Sequence, residues 1–499
     1  MRLAALLESA GITLRKVQGD PEVAEVVADS RRCRPGACFV AVRGANQDAH
    51  QFIPAAVAAG CSAVVCEDAS SAAPGTPLAV VENSRVAVAR LAQAIRGWPS
   101  RKLTCVGVTG TNGKSTTVCL IRDILLAAGH RPALLGTIFY ETGGRTVEAD
   151  QTTPDPIALA DMTAEMAAAG KTHLVMEASS HALHQDRCAG LEFKVGVFTN
   201  LTGDHLDYHK TMADYLLAKR RLFEGLSGDA AAVLNLDDPA SESLAAAARD
   251  RKARVITYGL QPAAELYARV ERLDASGTQF ALVCPQETVI VRTPLIGRHN
   301  VSNCLAAAGA CVAMGIDIEF VAGVLGQVKI VPGRLERVQG QRPFSVFVDY
   351  AHTDDALVNV LGALKSVTKG RLILVFGCGG DRDRTKRPRM AAVAEKLADE
   401  VIVTSDNPRT ENPQAIIDEI LVGFSPGALR GMGVSPTRIR VQTDRRQAIA
   451  SAIGMARAGD VVLIAGKGHE KYQIVGTQKH HFDDVEVARE VMANGRPKA

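Results

Sequence analysis

A glycine-rich segment in the first third of the chain is the sequence feature that most constrains the fold. Residues 103–109 form a largely apolar run, the string GTNGKS follows at 110–115, and apolar side chains then recur at helical spacing up to residue 125. A strand, a glycine loop and a helix in this order place backbone N–H groups and the positive end of the helix at one anion-binding point. The residues predicted to form a nucleotide-phosphate site here are Gly110, Thr111, Asn112, Gly113, Lys114, Ser115 and Thr116.

This loop departs from the strict phosphate-loop pattern, whose first glycine would fall at Val108. Lys114 still stands where it can reach the outer phosphates, and the hydroxyls of Ser115 and Thr116 can ligate Mg²⁺. A switch GTPase, a kinase and an ATP-driven ligase could all carry such a loop. The loop alone therefore does not identify a reaction.

The chain of 499 residues is long enough for about three domains. β-like apolar runs alternate with helical segments, which predicts an α/β fold whose central sheet is largely parallel and doubly wound. Residues 259–293 contain two alternating apolar runs and predict an antiparallel appendage to that sheet. We predict a small N-terminal α/β domain at 1–98, a central P-loop ATPase domain at 99–333 and a C-terminal domain at 334–499.

Composition excludes several classes of protein. Lys and Arg number 57 against 54 Asp and Glu, and a net charge of +3 is too small for a protein that coats nucleic acid or a membrane surface. No apolar stretch is uniform enough for a membrane span. The 11 cysteines include no C-x-x-C pair and are expected to be reduced thiols. These features predict a cytoplasmic, multidomain protein without a nucleic-acid partner.

Acidic and histidine side chains cluster after two further predicted strands. Glu177 follows the apolar run at 172–176, a usual place for a second Mg²⁺ anchor beside a phosphate loop. Residues 200–209 hold two aspartates and two histidines, and four such groups together favour a metal or phosphate site over a solvated loop. Lys219 lies on an amphipathic helical segment, and its spacing alone indicates an ordinary surface lysine.

Polar, glycine-containing loops follow four β-like runs in the last third of the chain, at 349–353, 377–383, 405–409 and 466–470. Ligands of open α/β sheets bind beyond the carboxyl ends of the strands, so these loops predict a second ligand-binding wall. Residues 371–389 carry six basic and two acidic side chains. This segment indicates a solvated basic face or, as the sharper hypothesis, attraction of an anionic substrate.

Nine strings, in order along the chain from residue 107 onwards, resemble the motifs of the Mur ligases. They are GVTGTNGKS at 107–115, TTP at 152–154, EASSH at 177–181, NLT and DHLD within 200–207, RHNVSN at 298–303, PGRLE at 332–336, DYAHT at 349–353 and GKGHE at 466–470. Members of that family are ATP-dependent amide ligases that build the peptidoglycan stem peptide. The resemblance implies a UDP-substrate domain, a central ATPase domain and a Rossmann-like C-terminal domain. Ala49 and Asp354 stand where the family usually has glycine and proline.

On the ATP side, the resemblance implies that Lys114 and Ser115 hold ATP phosphate and Mg²⁺, and that Glu177 and His205 ligate Mg²⁺. Lys219 matches the family lysine that becomes carbamylated to N6-carboxylysine, a carboxylate-like group that can organise a divalent metal. This match overrides the interpretation of Lys219 as a surface residue. The residues implied to contact adenine or to close over ATP are Asn300, Asn303, Arg334 and Asp349.

The resemblance is greatest to members that add the third residue of the stem peptide, meso-diaminopimelate, through an acyl phosphate. The residues implied to bind the UDP-linked muramoyl dipeptide are Ser30, Arg31, Thr152, Thr153, Ser179, Gln185 and Arg187. The residues implied to bind diaminopimelate are Arg382, Asp406, Asn407, Pro408, Arg409, Gly466 and Glu470.

Arg409 bears on the choice of amino acid, because its guanidinium is a rigid two-pronged donor for a distal carboxylate that L-lysine lacks. We therefore expect a diaminopimelate-adding rather than an L-lysine-adding ligase. A folylpolyglutamate synthase shares the ATPase core but would need a pteroate pocket, and a nucleotide-dependent switch protein would consume ATP without an amino acid. We expect an enzyme that uses ATP and Mg²⁺, acts on small molecules and is monomeric.

Overall fold

Three β-sheets follow one another along the chain in the computed structural model, which describes residues 1–44, 47–285, 287–430 and 437–494. Helices pack against each sheet, and a two-stranded hairpin follows the third, which confirms the predicted α/β fold. No helix within those ranges is long and apolar enough to cross a membrane. The domain boundaries remain predictions, and the predicted C-terminal range includes 431–436 and 495–499, which lie outside the described residues.

Short apolar strands build the N-terminal unit. Its elements are α1 (Leu3–Ser9), β1 (Leu14–Gln18), β2 (Glu25–Val27), β3 (Ala37–Val40), α2 (Ile53–Ala58), β4 (Ala63–Cys66), β5 (Leu78–Val81) and α3 (Ser84–Ala94). The sheet order is β1-β5-β4-β3-β2, and only β1 runs antiparallel to its neighbour. The apolar runs at 38–42 and 63–66 of the sequence overlap β3 and β4, all of whose residues are buried. β1 could not be predicted from apolar runs, because its side chains are largely exposed.

The central unit contains an eleven-stranded sheet. Its strands are β6 (Thr104–Thr109), β7 (Pro132–Leu135), β8 (Phe139–Glu141), β9 (Thr146–Glu148), β10 (His173–Glu177), β11 (Phe193–Phe198), β12 (Ala231–Asn235), β13 (Arg254–Gly259), β14 (Leu266–Asp274), β15 (Gly277–Val283) and β16 (Thr288–Thr293). Its helices are α4 (Lys114–Ala127), α5 (Pro156–Ala168), α6 (Ser180–His184), α7 (Leu206–His209), α8 (Met212–Glu224), α9 (Ala240–Asp250), α10 (Arg298–Ala313) and α11 (Ile318–Leu325).

The strand that leads into the glycine loop lies inside this sheet. The order is β16-β15-β14-β13-β12-β11-β6-β10-β7-β8-β9, with β6 parallel to both β11 and β10. The predicted antiparallel appendage is confirmed, because β14, β15 and β16 pair antiparallel at one edge. A second antiparallel pair, β8 and β9, lies at the other edge and was not predicted, since β9 is three exposed residues long.

The third unit carries the four polar loops on one edge. Its strands are β17 (Glu336–Arg337), β18 (Ser345–Asp349), β19 (Leu372–Phe376), β20 (Glu400–Val403), β21 (Arg438–Val441), β22 (Val461–Ala465), β23 (Tyr472–Val475) and β24 (Gln478–His481). Its helices are α12 (Asp354–Val367), α13 (Lys386–Leu397), α14 (Pro413–Leu421), α15 (Pro426–Arg430), α16 (Arg445–Met455) and α17 (Asp484–Asn494). The sheet order is β17-β18-β22-β19-β20-β21, and all pairs except β17 with β18 are parallel. The loops that follow β18, β19, β20 and β22 therefore share the carboxyl edge, as predicted.

The N-terminal and central units meet beside Trp98. Its backbone is left-handed, with φ 56°, and its Nε1 donates to Ser9 Oγ at 3.2 Å. The Arg101 guanidinium lies 4.0 Å from the centre of the indole ring. An ion pair of 2.6 Å between Arg96 and Asp161 also crosses this junction.

The C-terminal unit contacts the glycine loop of the central unit directly. Asp355 on α12 accepts hydrogen bonds from Asn112 Nδ2 at 2.8 Å and from Thr202 Oγ1 at 3.2 Å. Arg334 Nη2 donates to Ser115 Oγ at 3.0 Å. The third sheet is thereby held over the carboxyl edge of the second, which places a cavity between them.

Candidate active site

Two glycines shape the loop between β6 and α4. Gly110 has φ 150° and Gly113 has φ 87°, values that favour glycine. A β-carbon at Gly110 would overlap Thr199 Oγ1, and one at Gly113 would overlap Asn303 Oδ1. The loop therefore presents bare backbone at the N-terminus of α4, which begins at Lys114, and such a terminus attracts an anion.

Lys114 folds back over this loop. Its Nζ donates to the carbonyl oxygens of Gly110 at 3.0 Å and Thr111 at 2.8 Å. Burial lowers the pKa of the ammonium group, and the carboxylates of Glu177 and Asp204 oppose that shift. No carboxylate forms a direct ion pair with Nζ in the part of the chain that the structure describes. Its positive charge is thus available to a phosphate group.

A cavity of about 460 Å³ lies above the loop, between the central and C-terminal units. Its walls come from the glycine loop, from the ends of neighbouring strands and from α10 and α12. The predicted site residues that line it are Gly110, Thr111, Asn112, Gly113, Lys114, Ser115, Thr116, Thr152, Glu177, Ser179, His205, Asn300, Asn303, Arg334 and Asp349. The structure therefore brings the predicted ATP-side residues together around one space, except for Lys219, which does not line this cavity.

Glu177 and Ser115 provide oxygen atoms on the wall of this cavity. Glu177 is 1% exposed at the end of β10, and its carboxylate accepts hydrogen bonds from the backbone N–H and the hydroxyl of Thr137, at 2.8 and 3.0 Å. Oxygen ligands of this kind suit Mg²⁺. Among the described residues no group of three or more His, Cys, Asp and Glu side chains is arranged for a metal ion. A metal here would therefore depend on a hydroxyl, a modified lysine or substrate oxygens as well.

His205 lies at the start of α7 with a left-handed backbone of φ 57°. Its ring centre is 4.9 Å from that of His181, and its Nε2 is 3.6 Å from Asp204 Oδ2. Burial lowers the pKa of the His205 imidazole; Asp204 opposes the shift, and the nearby Lys114 adds to it. A neutral imidazole keeps one nitrogen lone pair free for a metal ion.

Lys219 is buried, so the interpretation of an ordinary surface lysine is wrong. The side chain is 1% exposed on α8, and its Nζ lies 4.0 Å from the centre of the Tyr215 ring. No hydrogen bond or ion pair to Nζ is found within the described ranges. Burial lowers the pKa of Lys219 well below its usual value, and the charge of Lys114 lowers it further. The neutral amine is the nucleophilic form of lysine.

Asn300 and Asn303 share the cavity face of α10. Asn303 Nδ2 donates to Asn300 Oδ1 at 3.0 Å, and Asn300 Nδ2 donates to the carbonyl oxygen of Ile296 at 2.9 Å. Both side chains are buried at 6% exposure. Their amides are therefore held in place beside Gly113.

Asp349 holds the segment that carries Arg334. Its carboxylate accepts the backbone N–H groups of Leu335 at 2.6 Å and Ala351 at 2.7 Å. Burial raises the pKa of Asp349, and the charge of Arg334 opposes that shift. Arg334 lies 4.6 Å from the Tyr350 ring centre, and its buried Nε has no hydrogen-bond partner among the described atoms. Arg334 thus retains a donor at the cavity.

A second cluster forms at the loop after β20. Asn407 Nδ2 donates to Glu470 Oε2 at 2.8 Å, and the buried Asp406 and Pro408 flank it. Arg409 has a left-handed backbone of φ 50°, and its Nη1 donates to the carbonyl oxygen of Gly380 at 2.8 Å.

Two further predicted residues of this cluster lie at its edges. A β-carbon at Gly466, whose φ is 114°, would press against Asp406 Oδ2. Arg382 lies on the exposed rim, where its Nη1 donates to the carbonyl oxygen of Asp381 at 3.1 Å. The structure therefore gathers the predicted amino-acid residues into one cluster, with Arg382 at its margin.

Four of the arginines in residues 371–389, the segment predicted to be a basic face or to attract an anionic substrate, have carboxylate partners. Arg371 pairs with Asp460 at 2.8 Å, Arg387 with Glu411 at 2.8 Å, and Arg389 with Asp354 at 3.2 Å. Arg384 pairs with Glu419. These charges are already compensated within the third unit, and Arg387 is completely buried.

Sequence reasoning missed the hairpin β23–β24, which supports the cluster from behind. The backbone N–H of Arg409 donates to the carbonyl oxygen of Ile474 at 3.1 Å, and Gln473 Nε2 donates to that of Asp406 at 2.6 Å. It also missed the fully buried Lys467, although this residue lies inside the string GKGHE. The position of Lys467 in that string was the one available signal.

On the N-terminal side, Gln185 and Arg187 line a cavity of about 510 Å³ between the first two units. Arg187 donates to Gln185 Oε1 at 2.7 Å and to the carbonyl oxygen of Thr153 at 3.1 Å, and Thr153 Oγ1 donates to Ser179 Oγ at 3.2 Å. The predicted uridine-side residues Ser30 and Arg31 do not line this cavity. Further residues that do line it, and that sequence reasoning missed, are Asp29, Arg32, Arg85 and Gln151.

Arg31 is instead exposed and pairs with Asp29 at 2.7 Å. The two departures from the family motifs are also peripheral. Ala49 begins a 3-10 turn capped by Asp48, and Asp354 begins α12. Neither residue lines one of the two cavities.

Three family models match the chain in succession. They are described as "Mur ligase family, catalytic domain" at residues 22–97, "Mur ligase middle domain" at 108–311 and "Mur ligase, glutamate ligase domain" at 333–468. A relative from Gloeobacter violaceus, named UDP-N-acetylmuramoyl-L-alanyl-D-glutamate–2,6-diaminopimelate ligase, is 46% identical and covers 100% of this chain and 99% of its own. The chain belongs to the Mur ligase family. A relative of the same name from Bacillus cereus is 43% identical, covering 95% of this chain and 94% of its own.

Solved structures agree with this membership of the Mur ligases. A structure of a protein with the same name is 34% identical, with a TM-score of 0.70 and 99% of each chain covered. A MurF ligase from Thermotoga maritima in complex with ADP is 20% identical, with a TM-score of 0.61, and covers 94% of this chain and 97% of its own. At that identity the second likeness supports the shared fold alone.

Mur ligases are ATP-dependent enzymes that require Mg²⁺, and the ATP side of this chain fits both. One cavity is lined by the glycines at which a β-carbon would overlap a neighbour, by Lys114 without an ion-pair partner, and by buried oxygen atoms that can ligate a metal. The chain is therefore an ATP-dependent ligase. The roles of its individual residues are the subject of the proposals below.

Proposed function

We propose that this Mur ligase joins meso-diaminopimelate to the D-glutamate of UDP-N-acetylmuramoyl-L-alanyl-D-glutamate, with cleavage of ATP to ADP and phosphate, in the synthesis of peptidoglycan precursors. The observation that carries the proposal is the cluster after β20. There a guanidinium, an amide donor and a carboxylate, from Arg409, Asn407 and Glu470, lie on one loop edge. Such a set matches an amino acid whose far end has both a carboxylate and an ammonium group. The full-length relatives bear names that describe this activity.

In the first step, a carboxylate oxygen of the substrate D-glutamate attacks the γ-phosphorus of ATP, and ADP leaves. Two anions must approach each other, so positive charge has to be placed around the γ-phosphate. Lys114 and the free donor of Arg334 lie at the cavity for this task. The product is an acyl phosphate.

Mg²⁺ would be held by Ser115, Glu177, His205 and the carbamate of Lys219. When bound, Mg²⁺ neutralises charge on the phosphate oxygens and orients them for in-line transfer. The burial of Lys219 supports its modification, because a neutral amine can attack CO₂ and lose a proton to give the carbamate. Modification also turns a buried amine that has no hydrogen-bond or ion-pair partner among the described residues into a group whose oxygen atoms can ligate a metal.

In the second step, the amine of the incoming amino acid attacks the acyl carbon, phosphate leaves, and the nitrogen loses a proton. Arg409 would hold the distal carboxylate of diaminopimelate, and Glu470 and Asn407 the distal amino end. A charged hydrogen bond contributes about 1.5–3 kcal/mol, and an unpaired Arg409 would further disfavour L-lysine. The contacts of Asp355 and Arg334 across the cavity would exclude water from the acyl phosphate.

The muramoyl dipeptide would lie between the first two units. The residues proposed to contact it are Thr152, Thr153, Ser179, Gln185 and Arg187. Ser30 and Arg31 do not line the cavity between these units, and they remain predictions for the uridine side of the substrate. We propose a monomeric enzyme that works in the cytoplasm, where its nucleotide substrates are made. Sedimentation equilibrium of the purified chain tests the first of these statements.

Phosphate release tests the proposed function. The purified chain is mixed with ATP, Mg²⁺ and UDP-N-acetylmuramoyl-L-alanyl-D-glutamate, and meso-diaminopimelate is compared with L-lysine. We expect release that requires diaminopimelate, with the tripeptide product seen by mass spectrometry. Release with L-lysine alone would support the proposed ligase activity and contradict the selectivity assigned to Arg409. Release that never depends on an amino acid would favour a nucleotide-dependent switch protein.

A further inference from the structure

Three cations are completely buried beneath the cluster after β20: Arg387, Arg445 and Lys467. Arg387 pairs with Glu411, and Arg445 pairs with Asp484 at 2.7 Å. Buried charges are stable only when they are paired and hydrogen-bonded. Both of these partners lie outside the proposed amino-acid site, although Arg445 also lies 4.0 Å from Asp406 of that site. The partners of Lys467 are different.

Lys467 contacts two residues that the proposed function assigns to the amino acid. Its Nζ donates to Asn407 Oδ1 at 3.2 Å and to Glu470 Oε2 at 3.4 Å. The same Glu470 oxygen accepts from Asn407 Nδ2 at 2.8 Å. The three side chains therefore form a closed triangle directly behind the loop edge.

This triangle determines the orientation of the Asn407 amide. Asn407 Oδ1 faces two donors, the Lys467 ammonium and the backbone N–H of Ile474 at 2.9 Å, and neither of them can accept a hydrogen bond. The oxygen must therefore point inwards, and the amide N–H₂ must point towards Glu470. Without the ammonium, one of the two groups that set this orientation is lost.

Exposure distinguishes the members of the triangle. The side chain of Lys467 has 0% exposure, whereas that of Glu470 retains 16%. An incoming amino acid can therefore reach the carboxylate but not the ammonium. Lys467 also lies among several charged and titratable groups that face Glu470, which are Asp406, Arg445, Tyr350 and Tyr472.

We propose that Lys467 is a positioning residue for amino-acid selection: it keeps the Asn407 amide donor and the Glu470 carboxylate aimed at the distal end of the incoming amino acid. This inference rests on the proposed function of the same cluster. It assigns no contact between Lys467 and any substrate.

Steady-state kinetics of Lys467→Met test the proposal, with Lys471→Met as a matched control because Lys471 is an exposed lysine four positions further along. We expect the KM for meso-diaminopimelate to rise about 10- to 100-fold, as for loss of a charged hydrogen-bond network. The KM for ATP and for the UDP-linked dipeptide should not change, and Lys471→Met should match the unmodified chain. Lys467→Gln, which keeps a polar group without the charge, provides a second variant if Lys467→Met does not fold.

A double variant separates positioning from mere support of the fold. If Lys467 acts through Glu470, Lys467→Met and Glu470→Gln together should raise the KM for diaminopimelate no more than the larger single effect. Additive effects, an unchanged KM for diaminopimelate, or an equal rise in the KM for ATP would each overturn the proposal. Failure of the proposed function is a separate result, since the unmodified chain would then release no phosphate in response to diaminopimelate.

Discussion

The two sides of the active site treat buried positive charge in opposite ways. On the ATP side, Lys114 is partly buried and Lys219 is buried, and neither forms an ion pair within the described residues. On the amino-acid side, Arg387, Arg445 and Lys467 are buried, and each has a carboxylate within 3.4 Å. The two sides therefore differ in whether the chain itself supplies the anions that balance these positive charges.

Burying an unpaired lysine ammonium group is unfavourable in free energy, so the group either loses its proton or is stabilised when an anion binds. Under the proposed function, groups from outside the chain complete the ATP side: phosphate and metal beside Lys114, and CO₂ at Lys219. The paired cations on the amino-acid side need no such partner. They hold the loop after β20 in one shape, and we propose that the geometry of this loop selects the amino acid.

The largest expected effect is that of removing Lys219. Lys219→Ala should lower kcat for ligation by about 10³-fold, because it removes the group proposed to organise metal and charge at the γ-phosphate. Phosphate release measures this loss, and the exposed Lys194→Ala serves as a control. Near-normal turnover in Lys219→Ala would contradict both the carbamate and the contrast between the two sides.

Removing the carboxylate-binding fork on the other side should affect binding rather than turnover. Arg409→Ala should raise the KM for diaminopimelate about 10- to 100-fold, and Arg409→Lys should restore little, because a single ammonium cannot replace the bidentate fork. Initial rates at varied diaminopimelate measure this change, with the exposed Arg438→Ala as control. An unchanged KM in Arg409→Ala would remove the basis for selectivity.

Removing the hydrogen bonds of Asp355, which join the C-terminal unit to the central unit, should have a smaller effect on activity. Asp355→Ala removes the acceptor of Asn112 and Thr202, and the loss of about 1 kcal/mol should lower kcat/KM for ATP about 5-fold. Asp354→Ala is a matched control, since its partner Arg389 belongs to the same unit. If both variants have the same kcat/KM for ATP, closure does not depend on this contact.

The smallest effect concerns acid stability on the amino-acid side. Hydrogen bonding to Arg387 lowers the pKa of Glu411 from 4.5 to about 2. The folded chain thus keeps this carboxylate ionised where the unfolded chain binds a proton, so the stabilisation is full above pH 4.5 and is lost as the pH falls towards 2. In Glu411→Gln, the free energy of unfolding should decrease less steeply over that window. Urea unfolding at several pH values measures the slope, and the exposed Glu319→Gln should behave like the unmodified chain.

Much of the fold could be predicted because apolar runs report buried strands directly. The run at 103–109 and the runs at 231–235 and 461–465 are entirely or largely buried strands in the structure. β23 and β24 could not be found in this way, because their side chains are partly or wholly exposed and all four residues of β24 are polar. Their position depends on contacts with the distant loop after β20.

The buried cations mark the limit of sequence reasoning on the site. Lys219 and Arg387 look like surface residues in any local pattern, since charge normally predicts exposure. Burial of Arg387 requires Glu411 and Glu419, which lie 24 and 32 residues further along. Only the fold brings such partners together, whereas the glycine loop could be identified because all its parts are contiguous.

The contacts of Trp98 have a practical consequence. It is the only tryptophan in the chain, and it lies where the first and second units meet, with its indole against Arg101 and Ser9. The intrinsic fluorescence excited at the red edge of the absorption band therefore originates from one junction. A spectral change on adding the UDP-linked substrate would report the movement of that junction, separately from events at the phosphate loop.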